Sequence, residues 1–377
     1  MKSYGRAAVC EFLGDRIVYR NLIPADPRLP PLEAISDRAG LSAGRIPRKN
    51  EPDYARVVVQ QLQQARLLEA PATNLKRLIF VGDTRLGDGT AFTNLCQVAG
   101  WPGLAFIGSE NSQPATVEAV PVAPQQSLYL ANRWAALADF DRFCAAQGFP
   151  IDEATVVVLD LDKTTIGARG RNAHTIDQAR VQAVQETVAS LLGPAYDPAV
   201  FQAAYSRLDQ PEFHPFTTDN QDYLAYTCLI LGSGLYELGQ FVSDIRSARL
   251  GSFAQFIDRV DARRDELPAA LEAIHAEIYA NVQAGDPTPF KPFRRNEYLA
   301  TIRRMGCLED PVPVETLLAD EIVITQEVRH LALEWQARGA LVFGLSDKPD
   351  EASKPTGEQA ARGYAPIHRQ STHAVGS

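Results

Sequence analysis

This chain of 377 residues has little sulfur: five cysteines and two methionines. Cys10, Cys96, Cys144, Cys228 and Cys307 stand far apart, form no CxxC pair and are odd in number. That excludes a zinc knuckle and a disulfide framework and fits a reducing compartment. An excess of positive charge is also missing. With 37 basic against 46 acidic residues the net charge is -9, which argues against a nucleic-acid or anionic-membrane surface and leaves only local basic pockets open. No apolar run is long enough to cross a bilayer, and the first segment, broken by Glu11, Asp15 and Arg16, is too polar for a signal peptide. There are no internal repeats or long low-complexity tracts, and the six histidines show no pair at metal-ligand spacing. A cytoplasmic protein acting on small molecules, with no nucleic-acid or membrane partner, is the expectation.

The most informative stretch is Val156-Val157-Val158-Leu159-Asp160-Leu161-Asp162-Lys163-Thr164-Thr165. The β-branched run reads as a buried strand of a parallel sheet, and open α/β sheets place their ligands just past the carboxyl ends of such strands. Alternate side chains of a strand share a face, so Asp160 and Asp162 would repel each other there. A hard divalent cation such as Mg2+ relieves that repulsion and suits phosphate oxygens as well. A carboxylate can also attack phosphorus while a second one protonates the leaving oxygen. The plainer alternative is a strand ended by turn-forming Asp and capped by Thr164.

Along the chain, alternation over residues 7–12 and 17–22 around 13–15 suggests a hairpin, and the Pro-rich residues 24–31 then break regular structure. A helix is expected from Pro52 to before Pro71, a strand over 78–81 running into Gly82-Asp83 and Asp88, a helix over 90–98 and a strand over 104–107. Residues 109–126 read as a connection and 128–147 as an amphipathic helix. Strands alternating with helices imply a parallel sheet. Helical patterns dominate from 167 to 335, notably over 179–192, 223–242, 253–260 and 267–282, after which 340–345 restores a buried strand ending at Ser346-Asp347-Lys348. The expected organisation is an N-terminal hairpin and loop extension over 1–44, an α/β core over 45–166 and 336–377, and a helical insert over 167–335.

Three apolar strands thus end in polar loops, at Asp160/Asp162, Ser346 and Asp83/Asp88, and together they resemble the haloacid dehalogenase-like hydrolase superfamily. Asp160-Leu161-Asp162-Lys163-Thr164 matches its DxDx[T/V] motif, Ser346 its strand ending in Ser or Thr, and Gly82-Asp83 with Asp88 its acidic loop. Lys49, before the helix that leads into the Asp83 strand, matches its lone lysine. The family runs nucleophile, Ser/Thr, Lys, acidic loop, whereas this chain runs Lys49, Asp83/Asp88, Asp160/Asp162, Ser346. A circular permutation gives that order with each local connection kept, its new ends falling between a third strand, placed at residues 365–367, and Lys49. The resemblance implies a Rossmann-like parallel sheet with helices on both faces, and it makes residues 167–335 a helical cap domain.

It further implies a phosphatase in which Asp160 is the nucleophile and Asp162 the general acid and base. Mg2+ would be held by the Asp160 carboxylate, the Asp162 carbonyl and Asp83, with Asp88 binding directly or through water. Ser346, Lys49 and Thr164 would hold phosphate, with Lys348 a rival to Lys49. Ser346 could equally cap a following helix, Asp88 make a turn, and Lys49 be a solvated charge. Arg169, Arg171, Asn172 and Lys348 are the candidate contacts to the substrate, expected to be a small phosphorylated metabolite. The alternatives are a phosphomutase using the same nucleophile and a non-catalytic protein that binds a phospholigand.

Overall fold

The computed structural model describes residues 1–41 and 45–377; residues 42–44, which close the extension expected over 1–44, lie outside the described residues. The chain divides into two compact units, Met1–Gln178 with Thr301–Ser377, and Ala179–Ala300.

The strands of the first unit are β1 (Lys2–Ala7), β2 (Ile17–Val18), β3 (Arg77–Gly82), β4 (Gly103–Gly108), β5 (Val117–Ala123), β6 (Gln126–Ala131), β7 (Thr155–Asp160), β8 (Ile324–Thr325), β9 (Leu341–Leu345) and β10 (Thr372–Gly376). Seven of them form one sheet in the order β2-β9-β7-β3-β4-β6-β5. All neighbours in it are parallel except β5, which runs antiparallel to β6 at the edge. This is an α/β fold. A three-stranded sheet, β1-β10-β8, completes the unit.

The apolar runs become strands because both of their faces are covered. On one face Leu78, Phe80, Val156, Val158, Leu341 and Phe343 share a core with Val57, Val58 and Leu62 of the helix Pro52–Glu69 and with Phe92 and Leu95 of the helix Gly87–Ala99. Each such side chain contributes about 1.5–3 kcal/mol when fully buried. Pro52 opens its helix at a position where the missing N–H costs nothing. On the other face Phe106 of β4 packs its ring against Trp134 and Phe140, and Trp335 of the helix Gln326–Ala337 donates its indole N–H to Asp141 at 2.6 Å.

Register fixes where the polar strand ends meet. Asp160 pairs with Leu345 and Leu159 with Val81, so Asp160, Gly82-Asp83 and Ser346 emerge side by side from three adjacent strands. Such crossings at the carboxyl end of a parallel sheet are where ligands bind.

Several local expectations fail where tertiary pairing overrides the pattern. There is no hairpin over residues 7–22: β1 pairs with β10, Cys10–Leu13 is a helical turn, and β2 joins the large sheet beside β9. The stretch 109–126 contains β5, and 128–131 belongs to β6, so the helix expected from 128 is the shorter Leu137–Ala146. Residues 365–367 form no strand but lead into the short turn Ile367–Arg369; the strand beside β9 is β2, at the opposite end of the chain.

The second unit is helical. The helices Pro198–Leu208, Gln221–Gly232 and Phe253–Asp261 are capped by Asp197, Asn220 and Ser252, whose side chains accept first-turn N–H groups. Phe216, Phe241 and Phe256 pack edge to face, and Tyr223 stacks on Phe253 at 3.8 Å. Arg294 is buried in ion pairs with Asp222 and Glu297 at 2.5 and 2.6 Å. The single helix expected over 223–242 is two, because the chain turns at Gly234, where φ is +80°. Among the described residues no helix is long and apolar enough to cross a membrane.

Candidate active site at the carboxyl edge of the sheet

The chain turns sharply as β7 ends. Thr165 donates its hydroxyl to the Asp160 carbonyl at 2.6 Å, the Thr164 and Ile166 N–H groups return to Leu161, and Lys163 takes the left-handed conformation at φ +65°. A non-glycine residue pays a local penalty there, on the order of 1 kcal/mol. After this turn the two side chains have different partners, Lys49 for Asp160 and Lys348 for Asp162. Asp160 stays buried, whereas the side chain of Asp162 is 22% exposed and faces Lys348, with Nζ 3.6 Å from Oδ2.

At β3 the acidic loop folds back on itself. Asp88, in the first turn of Gly87–Ala99, accepts the N–H groups of Asp83 and Thr84 at 3.0 and 2.9 Å and the Thr84 hydroxyl at 3.0 Å, all on one oxygen. Its other oxygen takes Lys49 at 2.7 Å, and Lys49 also donates to Asp160 at 2.5 Å. Carboxylate oxygens of Asp83, Asp88 and Asp160 come within 4.8 Å of one another. Arg169 donates to Oδ2 of Asp83.

Burial dominates the electrostatics. Burial, then the charge of Asp88, push the Asp83 carboxyl up to about 7 against the pull of Arg169. Burial acts on Asp88 too, but Lys49 and the donors of the loop hold it at about 2. Asp160 is driven well above the usual carboxylate range by burial and by its two acidic neighbours, although Lys49 opposes them. Burial disfavours the Lys49 ammonium, yet Asp160 and Asp88 outweigh it and keep the group charged.

This donor set fits a hard divalent cation. Three buried acids face the charges of Lys49 and Arg169, which leaves one negative charge over when all three are ionised. With both oxygens of Asp88 engaged, Asp160 and Asp83 are the better direct ligands, and Asp88 suits a place in the next layer. Two buried polar atoms of the β7 turn, Asp162 Oδ1 and Thr164 Oγ1, have no hydrogen-bond partner. Orphans of this kind cost about 1–3 kcal/mol each and point to a ligand or water at the position they face.

The remaining sequence candidates divide sharply. Ser346 is fully buried, pairs its N–H with Val18 at 2.9 Å and accepts the Lys348 N–H on its hydroxyl at 3.1 Å, so it closes a turn at the strand end. Lys49 and Lys348 both reach the site, the first on Asp160 and the second on Asp162. Arg171 and Asn172 do not face it. The Arg171 guanidinium, 1% exposed, grips Glu110 and Glu327, and the Asn172 amide donates to the carbonyls of Leu318 and Glu321. They follow the β7 turn in sequence, but their donors are consumed inside the fold. Arg169 alone of the three reaches the cluster, through Asp83.

Sequence reasoning overlooked Thr165 and Thr84. Their hydroxyls hold the turns that place Asp160 and Asp88, and the Thr directly after Asp83 and the second Thr after Lys163 were the available signal. Gly82 went unexplained. A Cβ there would lie 2.6 Å from both Cβ and Cγ of Asp88, so the close approach of the loop requires glycine. Gly82→Ala is expected to displace the Asp88 carboxylate and weaken Mg2+ binding roughly tenfold, the loss of about one charged hydrogen bond. Calorimetric titration with Mg2+ checks it, and an unchanged affinity would remove Asp88 from the metal site.

The fold and the cluster together define an α/β protein with a buried carboxylate centre at the carboxyl edge of a parallel sheet. Comparison of the chain with protein families, curated proteins and solved structures found no match.

Proposed function

We propose that this chain is a Mg2+-dependent phosphatase of the haloacid dehalogenase-like type, circularly permuted, acting on a small phosphorylated metabolite through an aspartyl phosphate on Asp160. The observation that carries the reading is the register of three adjacent strands, which brings Asp160, Asp83 and Ser346 to one edge with the acidic oxygens of Asp83, Asp88 and Asp160 within 4.8 Å. The position of β2 supports the permutation. Placed beside β9 and leading on to Lys49, it can serve as the third strand, so that the ring of connections opens between β9 and β2.

Asp160 and Asp83 would hold the cation, which when bound draws charge from the phosphoryl oxygens. Asp162, 22% exposed and beside Lys348, would give a proton to the leaving oxygen and then take one from water. Lys49 holds the nucleophile in orientation and offsets its neighbours. By its place in the chain, between Asp160 and Ser346, the helical unit corresponds to the family's cap domain.

Phosphate release from a panel of phosphomonoesters is expected to need Mg2+, to vanish in EDTA and to return when Mg2+ is restored. Asp83→Asn should raise the Mg2+ concentration for half activity by at least about tenfold. Release that is indifferent to EDTA would defeat the proposal.

A further inference from the structure

Arg169 touches the acidic cluster with one corner of its guanidinium. Its Nε–H donates to Oδ2 of Asp83, while Nη1 and Nη2 make no hydrogen bond among the described residues. The main chain behind that side chain is fixed. The Arg169 N–H donates to the Lys163 carbonyl at 2.7 Å, and its carbonyl accepts the Glu110 N–H at 2.9 Å and the Trp134 indole N–H at 3.1 Å. At Gly170 the loop then runs so close to Glu110 that a Cβ would lie 1.9 Å from the Glu110 carbonyl oxygen. A rigid loop thus presents a side chain that is 39% exposed, and an ion pair with so exposed a partner is weak. Lys49 differs in each respect: its side chain is 8% exposed and is bonded to both Asp88 and Asp160. Lys49 is a fixed part of the cluster, and Arg169 a removable one.

Charge gives the removal a purpose. With Asp83, Asp88 and Asp160 ionised, Lys49 and Arg169 leave one negative charge over; with Arg169 withdrawn two remain, which is what a divalent cation neutralises. A guanidinium and a Mg2+ ion on the one carboxylate of Asp83 would also repel each other at close range. Asp83 and Asp160 offer oxygens within 4.8 Å, so a long side chain resting on Asp83 is a short swing from a phosphoryl group at Asp160. Its planar fork of N–H donors matches two oxygens of a phosphate, and Lys49 already spends its donors on carboxylates.

We propose that Arg169 is a displaceable counter-cation of this centre: it covers Asp83 until Mg2+ binds, then leaves that carboxylate and contacts the phosphoryl group of the substrate. The inference rests on the phosphatase reading and adds to it a residue outside its motifs and an order of events, metal before anion. Without the metal the guanidinium spends its charge on Asp83, and the anion meets a cluster that repels it. With the metal bound, the same charge is released for the anion.

The test is Arg169→Gln, which removes the charge and leaves the main-chain bonds of the loop in place. Two constants are measured for wild type and variant: Mg2+ affinity by calorimetric titration without substrate, and inhibition by inorganic phosphate of para-nitrophenyl phosphate hydrolysis in saturating Mg2+. They should move in opposite directions. Mg2+ is expected to bind roughly threefold to thirtyfold more tightly, because a competing charge is gone. The phosphate inhibition constant should rise by roughly tenfold or more, because a charged donor to the anion is gone. Arg169→Lys, which restores the charge, should bring the Mg2+ affinity back toward that of the wild type. If Arg169 only orients Asp83, its loss weakens Mg2+ binding instead, and the inference is overturned. Phosphate inhibition that does not move overturns it as well, as does an Arg169→Gln protein that melts markedly lower than the wild type in saturating Mg2+. In each of these cases the phosphatase reading stands as long as the wild type hydrolyses the ester in Mg2+. A wild type that neither binds Mg2+ nor hydrolyses the ester removes both.

Discussion

Asp160→Asn is expected to abolish phosphate release, by at least about a thousandfold in kcat, because an amide cannot form the acyl phosphate. The side chain keeps its size and can still meet Lys49, so the fold should survive. Asp162→Asn should behave differently. Removing a general acid costs roughly 10²–10⁴-fold, but only where the leaving oxygen needs a proton. An alkyl phosphate should therefore lose most of that range, and para-nitrophenyl phosphate, whose leaving group departs as the anion, much less. Steady-state rates for the two esters, with wild type and both variants, read this directly. Equal losses on both esters would deny Asp162 its role, and an Asp160→Asn protein with wild-type turnover would end the enzyme hypothesis.

The second large effect is on stability. Arg171 sits between Glu110 and Glu327 with two hydrogen bonds to each, and also donates to the Val375 carbonyl of β10 at 3.3 Å. Arg171→Met would leave two carboxylates with no cation, and breaking a buried pair in this way costs about 3–5 kcal/mol. Adding Glu110→Gln and Glu327→Gln should recover most of the loss, since the uncompensated charges disappear with it. All three tryptophans, Trp101, Trp134 and Trp335, lie in the α/β unit, so urea unfolding followed by their fluorescence reports on it.

The same network gives a pH dependence of known sign. Burial raises Glu327, but the hydrogen bonds and charge of Arg171 win and hold it below its ordinary 4.5. A carboxyl lowered on folding stabilises fully above its unfolded value. That contribution is lost as the pH falls below about 4.5 through the folded value. The acid-side loss of stability should therefore be shallower in the Glu327→Gln, Arg171→Met protein than in the wild type.

The β7 run and its DLDKT ending were legible from sequence because four apolar residues closed by two acids satisfy one local rule. Gly82-Asp83 with Asp88 was legible for the same reason. The strands β5 and β6 were not, and of β2 a strand over 17–22 was expected but not its pairing with β9. Ile17–Val18 is two residues long and becomes a strand only by pairing with β9, and Val117–Ala123, exposed along most of its length, becomes one only by pairing with β6. The partners of Arg171 and Asn172 were not legible, because Glu110, Glu327, Leu318 and Glu321 are distant in the chain.

By itself the sequence determined the buried strands, the helix after Lys49 and the presence of acids at strand ends, because each follows from the spacing of neighbours along the chain. Tertiary structure alone decided that Asp83, Asp88 and Asp160 share one small volume, that Lys49 bridges two of them, and that Arg169 rests on the third. Those facts depend on strand register and close packing, which are set by the fit of whole faces against one another and leave no mark in the order of residues.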